Sequence, residues 1–320
     1  MSTATRMMFT VFTPTHNRAH TLHRPFESLQ VQTFRDFEWL VIDDGSSDHT
    51  HQLLDEWKKR ASFPIRYIRQ DHSGKHVAHN RAVREARGKF FLILDSDDAC
   101  TPWALERMAF HWNEIPSSER AIYSGVSGLC SDQHGKVIGD PFPPDDPTPH
   151  ERRYIYRVRG EKWGSEMTEI VRRFPFPEIR GTQFVPEAVA WLAMAKTYKT
   201  RCVNEIFRIY YIEDGKTGTT LSRKRSLRDN ARGHLHYFIW LLNNDLGYFR
   251  HSPLPFLKAA SMAPVVGLFA NQRLSSTLRS LQSVWAKALV LSALPISLLL
   301  YIFDRLYTHL FEAPQADNRL

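Results

Sequence analysis

The chain has 320 residues, of which 42% are apolar, 12% aromatic and 24% charged. That is enough apolar material to bury a sizeable core and to exclude global disorder. Its formal charge of +8 is concentrated between residues 222 and 287, where Arg223, Lys224, Arg225, Arg228, Arg232, Arg250, Lys258, Arg273, Arg279 and Lys287 face only Asp229 and Asp245. Such a basic tail attracts an anionic surface, whether lipid or nucleic acid. Cys100, Cys130 and Cys202 are odd in number and form no CxxC pair, which speaks against a disulfide scaffold or a structural zinc site and for a reducing compartment. The N-terminal residues run straight into a strand-like segment, so no secretion signal is expected.

From residue 7 to 129 a short apolar run, a polar turn and a helically spaced segment alternate. The runs are 8–13, 37–42, 65–68, 90–94 and 121–126, and the segments between them are 21–31, 49–60, 75–86 and 102–112. This alternation predicts a mostly parallel sheet flanked by helices, because parallel neighbours need crossover connections. Residues 139–181 are rich in Pro and are expected to be long loops over a binding face. A helix is expected over 186–195, strands over 201–212, and helices over 221–246 and 253–311.

Ligands of such sheets sit at the carboxyl ends of the strands. Four consecutive runs end in polar clusters: Thr13-Pro14-Thr15-His16-Asn17-Arg18, then Asp43-Asp44-Gly45-Ser46-Ser47-Asp48, then Asp71-His72-Ser73-Gly74-Lys75, then Asp95-Ser96-Asp97-Asp98. Helix capping accounts for Asp48 and leaves Asp98 as a candidate cap of the helix near Pro102. It accounts poorly for Asp43, Asp44, Asp95 and Asp97, since carboxylates gathered at one sheet edge repel unless a cation or a donor-rich ligand joins them.

In order and spacing these segments resemble the inverting family 2 glycosyltransferases, which have the GT-A fold. The resemblance is dense over residues 7–112 and extends loosely to Asp214 through Phe184-Val185-Pro186-Glu187 and Tyr211-Ile212-Glu213-Asp214. It implies a catalytic domain over 1–220, with a nucleotide-sugar half over about 7–130 and an acceptor half over about 131–220, followed by a basic helical region over 221–320. Asp44, or alternatively Asp43, then accepts hydrogen bonds from the nucleobase, in a socket lined by Pro14, Thr15, Asn17 and Arg18, with His16 in its wall. Gly74 lets the backbone approach the donor and Lys75 meets phosphate at a helix N-terminus. Asp95-Ser96-Asp97 resembles the DxD motif: Asp95 reaches ribose or metal, Ser96 lies beside the donor, and Asp97 binds Mg2+ or Mn2+, whose charge assists the leaving diphosphate.

Glu187, at the start of the 186–195 helix, resembles the family's general base, with Glu178 and Asp214 in reserve. Deprotonating the acceptor as it attacks the anomeric carbon gives inversion in one displacement. The implied donor is a UDP-sugar and the implied acceptor a hydroxyl of a glycan or glycolipid. His72, His76 and His79 have metal-like spacing but no Cys or second acid beside them, so zinc is not expected.

Residues 288–303 carry no charge but reach only roughly 24 Å as a helix, short of the roughly 30 Å hydrocarbon core. With the basic stretch and Trp285 before it, segment 284–307 is expected to lie at the cytoplasmic face of an anionic membrane; a packing helix and a single span are the alternatives. Two other functions compete. A nucleotidyltransferase would carry a Gly-rich loop after the first strand, which Thr13 to Arg18 lack. A nucleic-acid-binding protein would use the basic tail, but the acidic crevice repels phosphates and no reader motif is present, so nucleic acid is not expected as a partner.

Overall fold

The computed structural model describes residues 7–212 and 227–311, with side chains to residue 306. Asp214 and the first residues of the expected 221–246 helix lie outside the described residues. The chain divides into two compact units, Met1–Glu178 with Glu187–Lys224, and Ile179–Pro186 with Arg225–Leu320. Nothing in the sequence announces that 179–186 groups with the C-terminal residues.

The first unit runs β1 (Phe9–Thr15), α1 (His23–Gln30), β2 (Phe37–Asp43), α2 (Thr50–Arg60), β3 (Ile65–Arg69), α3 (Lys75–Glu85), β4 (Phe90–Ile93), β5 (Ala99–Cys100), α4 (Ala104–Asn113), β6 (Tyr123–Asp132), β7 (Lys162–Met167), α5 (Thr168–Val171), α6 (Ala188–Ala195) and β8 (Lys199–Tyr210). One sheet of order β3-β2-β1-β4-β7-β6-β8-β5 joins all eight strands. β3, β2, β1 and β4 are parallel, as are β6 and β8. β7 runs antiparallel between β4 and β6 and makes the sheet mixed.

β2 is buried at every position, as a strand covered by helices on both faces must be. Phe9, Val11, Trp39, Val41 and Leu92 pack on one face with residues of α1, α2 and α4; Phe12, Leu40, Ile42 and Phe91 pack on the other with Ala78, Ala82 and Val83 of α3. The parallel register sets Thr15 beside Asp43 and Phe12 beside Ile93, so β1, β2 and β4 end along one edge. Just beneath that edge Trp39 Nε1 donates to Thr13 Oγ1 (2.9 Å), which donates to Leu94 O (2.7 Å), tying the three strand ends together through buried bonds.

Residues 139–181 are less irregular than expected, since they hold a π-helical turn at Glu151–Ile155, β7 and α5. Lys-Trp-Gly-Ser-Glu-Met has no apolar alternation to betray β7; pairing on both sides creates the strand. Its neighbours approach closely, and a Cβ at Gly125 would stand 1.8 Å from Ser165 O. Gly125→Ala is therefore expected to cost about 3 kcal/mol, the upper range for overpacking, measured as a lowered urea midpoint; a midpoint within error of wild type would contradict this packing.

The second unit contains helices Ala231–Asn244, Pro253–Phe269, Leu274–Ser280, Val284–Ser292 and Leu294–Phe311, so the stretch 253–311, expected to be helical, holds four helices. Phe256, Ala259, Ala260, Ala263 and Val266 are buried in Pro253–Phe269, and Ser297 Oγ donates to Ser261 O at 2.8 Å. Among the described residues no single helix is long and apolar enough to cross a membrane; Val284–Ser292 and Leu294–Leu306 together are, but they bend by 52°. Val284, Trp285, Leu299 and Phe303 are each at least two-thirds exposed.

Candidate active site

The site is built where β1, β2 and β4 end. Asn17 adopts φ 53°, and its Oδ1 accepts from the backbone N–H of Ser47 (2.7 Å) and Asp48 (3.3 Å), joining the loops after β1 and β2. Asp48 Oδ1 accepts from the Thr50 N–H and hydroxyl at the start of α2, the capping role expected of it. Pro14 is half-buried, and the buried Thr15 hydroxyl has no partner among the described residues.

Asp43 Oδ1 accepts from Ser46 N (2.8 Å) and Oδ2 from the Tyr67 hydroxyl (2.6 Å). Asp44 holds the 70–74 loop: Oδ1 accepts from Gln70 Nε2 (2.8 Å) and Ser73 N (2.9 Å), while Oδ2 meets Gly74 N (2.8 Å) and His72 Nδ1 (2.8 Å). Four partners fill a carboxylate's four acceptor sites, so the side chain matched to the nucleobase is here spent on protein donors. His16 stacks on His72 with centroids 4.1 Å apart, and the two rings form an open flank of the same loop. Gly74, at φ 98°, turns the chain into α3 as only glycine does without strain.

Lys75 opens α3 and reaches across the crevice, its Nζ 2.7 Å from Asp95 Oδ1 and 2.8 Å from Glu187 Oε1. Burial opposes this ammonium, yet the two carboxylates hold it charged above its ordinary pKa. The same ammonium holds Glu187 below the usual carboxylate range against burial and Asp95. Glu187 stands at the N-cap of α6, one residue before the helix rather than within its first turn.

Arg208 of β8 is an organiser with no local signal in the sequence. Its Nε lies 2.8 Å from Asp98 Oδ2 and its second amino group binds both Asp98 and, at 3.1 Å, Asp95. Burial works against the guanidinium, but those carboxylates keep its pKa above the ordinary value. Asp98 also accepts from Tyr211 N at 3.2 Å. It therefore does not cap α4, which begins at Ala104 behind Trp103; a buried guanidinium competes better for that carboxylate than a helix end does. Ser96 is buried beside it.

Asp97 differs from its neighbours. It is 31% exposed and meets Arg18 at a loose 3.4 Å through Oδ2, and Oδ1 has no partner among the described residues. Asp95 has both oxygens bound to cations. These residues fit a divalent ion of the hard, water-keeping kind, which takes one or two carboxylates and completes its shell from phosphate and water; Asp97 would be the principal ligand. The described residues hold no ready cluster of three metal-binding side chains.

Of the remaining candidates, Glu178 lies at the surface against Asn80 (2.9 Å). His79 sits among Phe12, Phe91, Phe176 and Trp191, where burial pulls its pKa down to about 4. A cavity of about 460 Å³ opens beside Lys75, Asp95 and Glu187 and runs along Trp191, Tyr198, Phe142, Arg152 and Lys162.

Residues 10–135 match the family model described as glycosyl transferase family 2. Over 125 residues the chain is 30% identical to the poly(ribitol-phosphate) beta-N-acetylglucosaminyltransferase TarS of Staphylococcus aureus, a match covering 38% of this chain and 22% of that protein. Over 208 residues it is 26% identical to the GalNAc(5)-diNAcBac-PP-undecaprenol beta-1,3-glucosyltransferase of Campylobacter jejuni, covering 63% and 64%. The chain thus spans only part of its curated relatives, 14% of an uncharacterised glycosyltransferase of Rickettsia felis and 22% of TarS. In three dimensions it resembles residues 1–349 of TarS in complex with UDP-GlcNAc (TM-score 0.56, 18% identity, covering 94% and 92%). It also resembles a mannosyltransferase of Pyrobaculum calidifontis solved with GDP-Man and Mn2+ (0.55, 18%, 97% and 89%). The architecture is therefore the GT-A fold of those enzymes, and it is residues 10–135 that match glycosyl transferase family 2.

Proposed function

We propose that the protein transfers a sugar from a UDP-sugar to a hydroxyl of a glycan or glycolipid, inverting the anomeric centre. The observation that carries this reading is the Lys75 bridge: one ammonium joins the strand-end carboxylate Asp95 to Glu187 on the wall of a single cavity. The donor lies along the ends of β1 and β2, against Pro14, Thr15, Asn17 and Arg18, with Asp43 and Asp44 fixing the rim that frames the nucleobase. Gly74 leaves the backbone room beside the diphosphate, and Lys75 supplies positive charge there. The acceptor hydroxyl attacks the anomeric carbon and gives its proton to Glu187, and the bond from that carbon to the diphosphate oxygen breaks. Lys75 keeps Glu187 ionised and oriented before attack. A Mg2+ or Mn2+ ion held by Asp97, with Asp95 behind it, would neutralise the departing diphosphate.

A thermal-shift panel of UDP, GDP, dTDP and CDP, with and without Mn2+, tests the donor assignment. UDP with Mn2+ is expected to stabilise the protein most, and Asp97→Ala to remove the metal-dependent part. An equal shift for that variant would take the metal from Asp97, and no shift with any nucleotide would dismiss the reading.

The exposed apolar residues of Val284–Ser292 and Leu294–Phe311, together with nearby Lys287, support attachment to an anionic membrane surface. Trp285→Ser combined with Phe303→Ser is expected to reduce flotation with vesicles containing phosphatidylglycerol at least tenfold, in keeping with about 1.5–3 kcal/mol for each large apolar side chain. Unchanged flotation would return this segment to a packing role.

A further inference from the structure

The cavity that Glu187 lines is also lined by two cations, Arg152 and Lys162, neither of which makes a direct ion pair among the described residues. Arg152 sits on the π-helical turn Glu151–Ile155 and Lys162 opens β7. Arg152 lies 5.3 Å and Lys162 5.5 Å from the centroid of the Phe142 ring. The backbone that carries that ring is held by Asn204, which accepts from Phe142 N at 2.7 Å and donates to Phe142 O at 3.1 Å. Among the described residues neither cation is in an ion pair: Arg152 donates to Cys202 Sγ, and Lys162 to the carbonyls of Arg159 and Glu161. Burial and the Arg152 charge both press Lys162 toward the neutral amine, while Asp140 and Glu161 support its charge.

Arg152 and Lys162 share one ring in a half-buried wall, where the Arg152 charge weighs against that of Lys162, a cost that an anion bound by both reverses. Arginine and lysine together suit phosphate, the first by its planar fork and the second as a compact charge. Beside them the Glu166 carboxyl is buried, and burial raises it to about 7 against a Ser124 hydrogen bond and the Arg152 charge. Trp191 and Tyr198 supply an apolar wall along the way.

From this geometry we infer that the acceptor is a phosphorylated sugar or polyol, whose phosphate is held by Arg152 and Lys162 over Phe142 while its hydroxyl reaches Glu187. The inference rests on the transferase reading and names the acceptor's chemical class within it. Arg152 and Lys162 act as specificity residues of the acceptor end, away from the carboxylates of the donor end.

The test is calorimetry on the full chain with UDP and Mn2+ saturating, so that the donor site is filled. The probes are glucose 1-phosphate, N-acetylglucosamine 1-phosphate, galactose 1-phosphate and glycerol 1-phosphate, each beside its neutral parent, and inorganic phosphate alone. At least one phosphorylated probe is expected to bind tenfold or more tighter than both its parent and inorganic phosphate. That preference is expected to vanish in Arg152→Gln and in Lys162→Gln. The inference is overturned if no phosphorylated probe gains over its parent, if inorganic phosphate binds as tightly as the best probe, which would mark a free-anion site, or if folded variants keep the preference. The wild-type comparison stands without the variants. Absence of UDP binding would instead strike the donor reading, leaving the phosphate preference to be read by itself.

Discussion

Glu187→Gln is expected to lower transfer by about 10²–10⁴-fold, the usual contribution of a positioned general base, while leaving the affinity for UDP close to that of wild type. The amide keeps the size of the side chain but accepts no proton from the acceptor, so the loss belongs in kcat. Because Lys75 then keeps only Asp95 as a carboxylate partner, Lys75→Met supplies a complementary result: nucleotide affinity is expected to fall as well as turnover, the diphosphate being the proposed second partner of that ammonium. UDP release coupled to sugar transfer measures the first quantity and calorimetry the second. Wild-type turnover in Glu187→Gln would remove it from the base role.

Arg208→Met is expected to cost about 3–5 kcal/mol of stability, the penalty for leaving one member of a buried ion pair alone. Asp98 is 2% exposed and depends on Arg208 for its bonds apart from Tyr211 N, so the variant strands a carboxylate in the interior. The double variant Arg208→Met with Asp98→Leu is expected to recover much of the loss, because an apolar pair of similar volume needs no counter-charge. Urea denaturation of the single and double variants measures both. Equal stability of wild type and Arg208→Met would show that the pair carries no structural weight.

The sequence disclosed the parallel part of the sheet, β1 to β4, well, because period and punctuation are local properties. The strand runs ending in Thr15, Asp43 and Asp95 needed only their apolar spacing to be found, and Gly74 and Lys75 stood at the turn that begins α3. What it could not disclose depends on residues far apart in the chain. Arg208 lies 113 residues from Asp95 and 110 from Asp98, and within Ile206-Phe207-Arg208-Ile209-Tyr210 it looks like the outward residue of a strand. Lys75 was matched to a phosphate, and its contact with Glu187 becomes visible only once α6 is seated beside α3. Asp44 was matched to a ligand because its type and place fitted, yet four donors from residues 70–74 take up its oxygens. β7 escaped notice since its composition is that of a loop.

The most direct measurement is a crystal soaked with UDP and Mn2+, with the manganese located from its anomalous signal. The account places that signal at roughly 2.0–2.2 Å from Asp97, the distance of a small hard cation to oxygen, with the uracil at the ends of β1 and β2 and the diphosphate in reach of Lys75. Manganese bound elsewhere, or a nucleotide seated away from the ends of β1, β2 and β4, would contradict it.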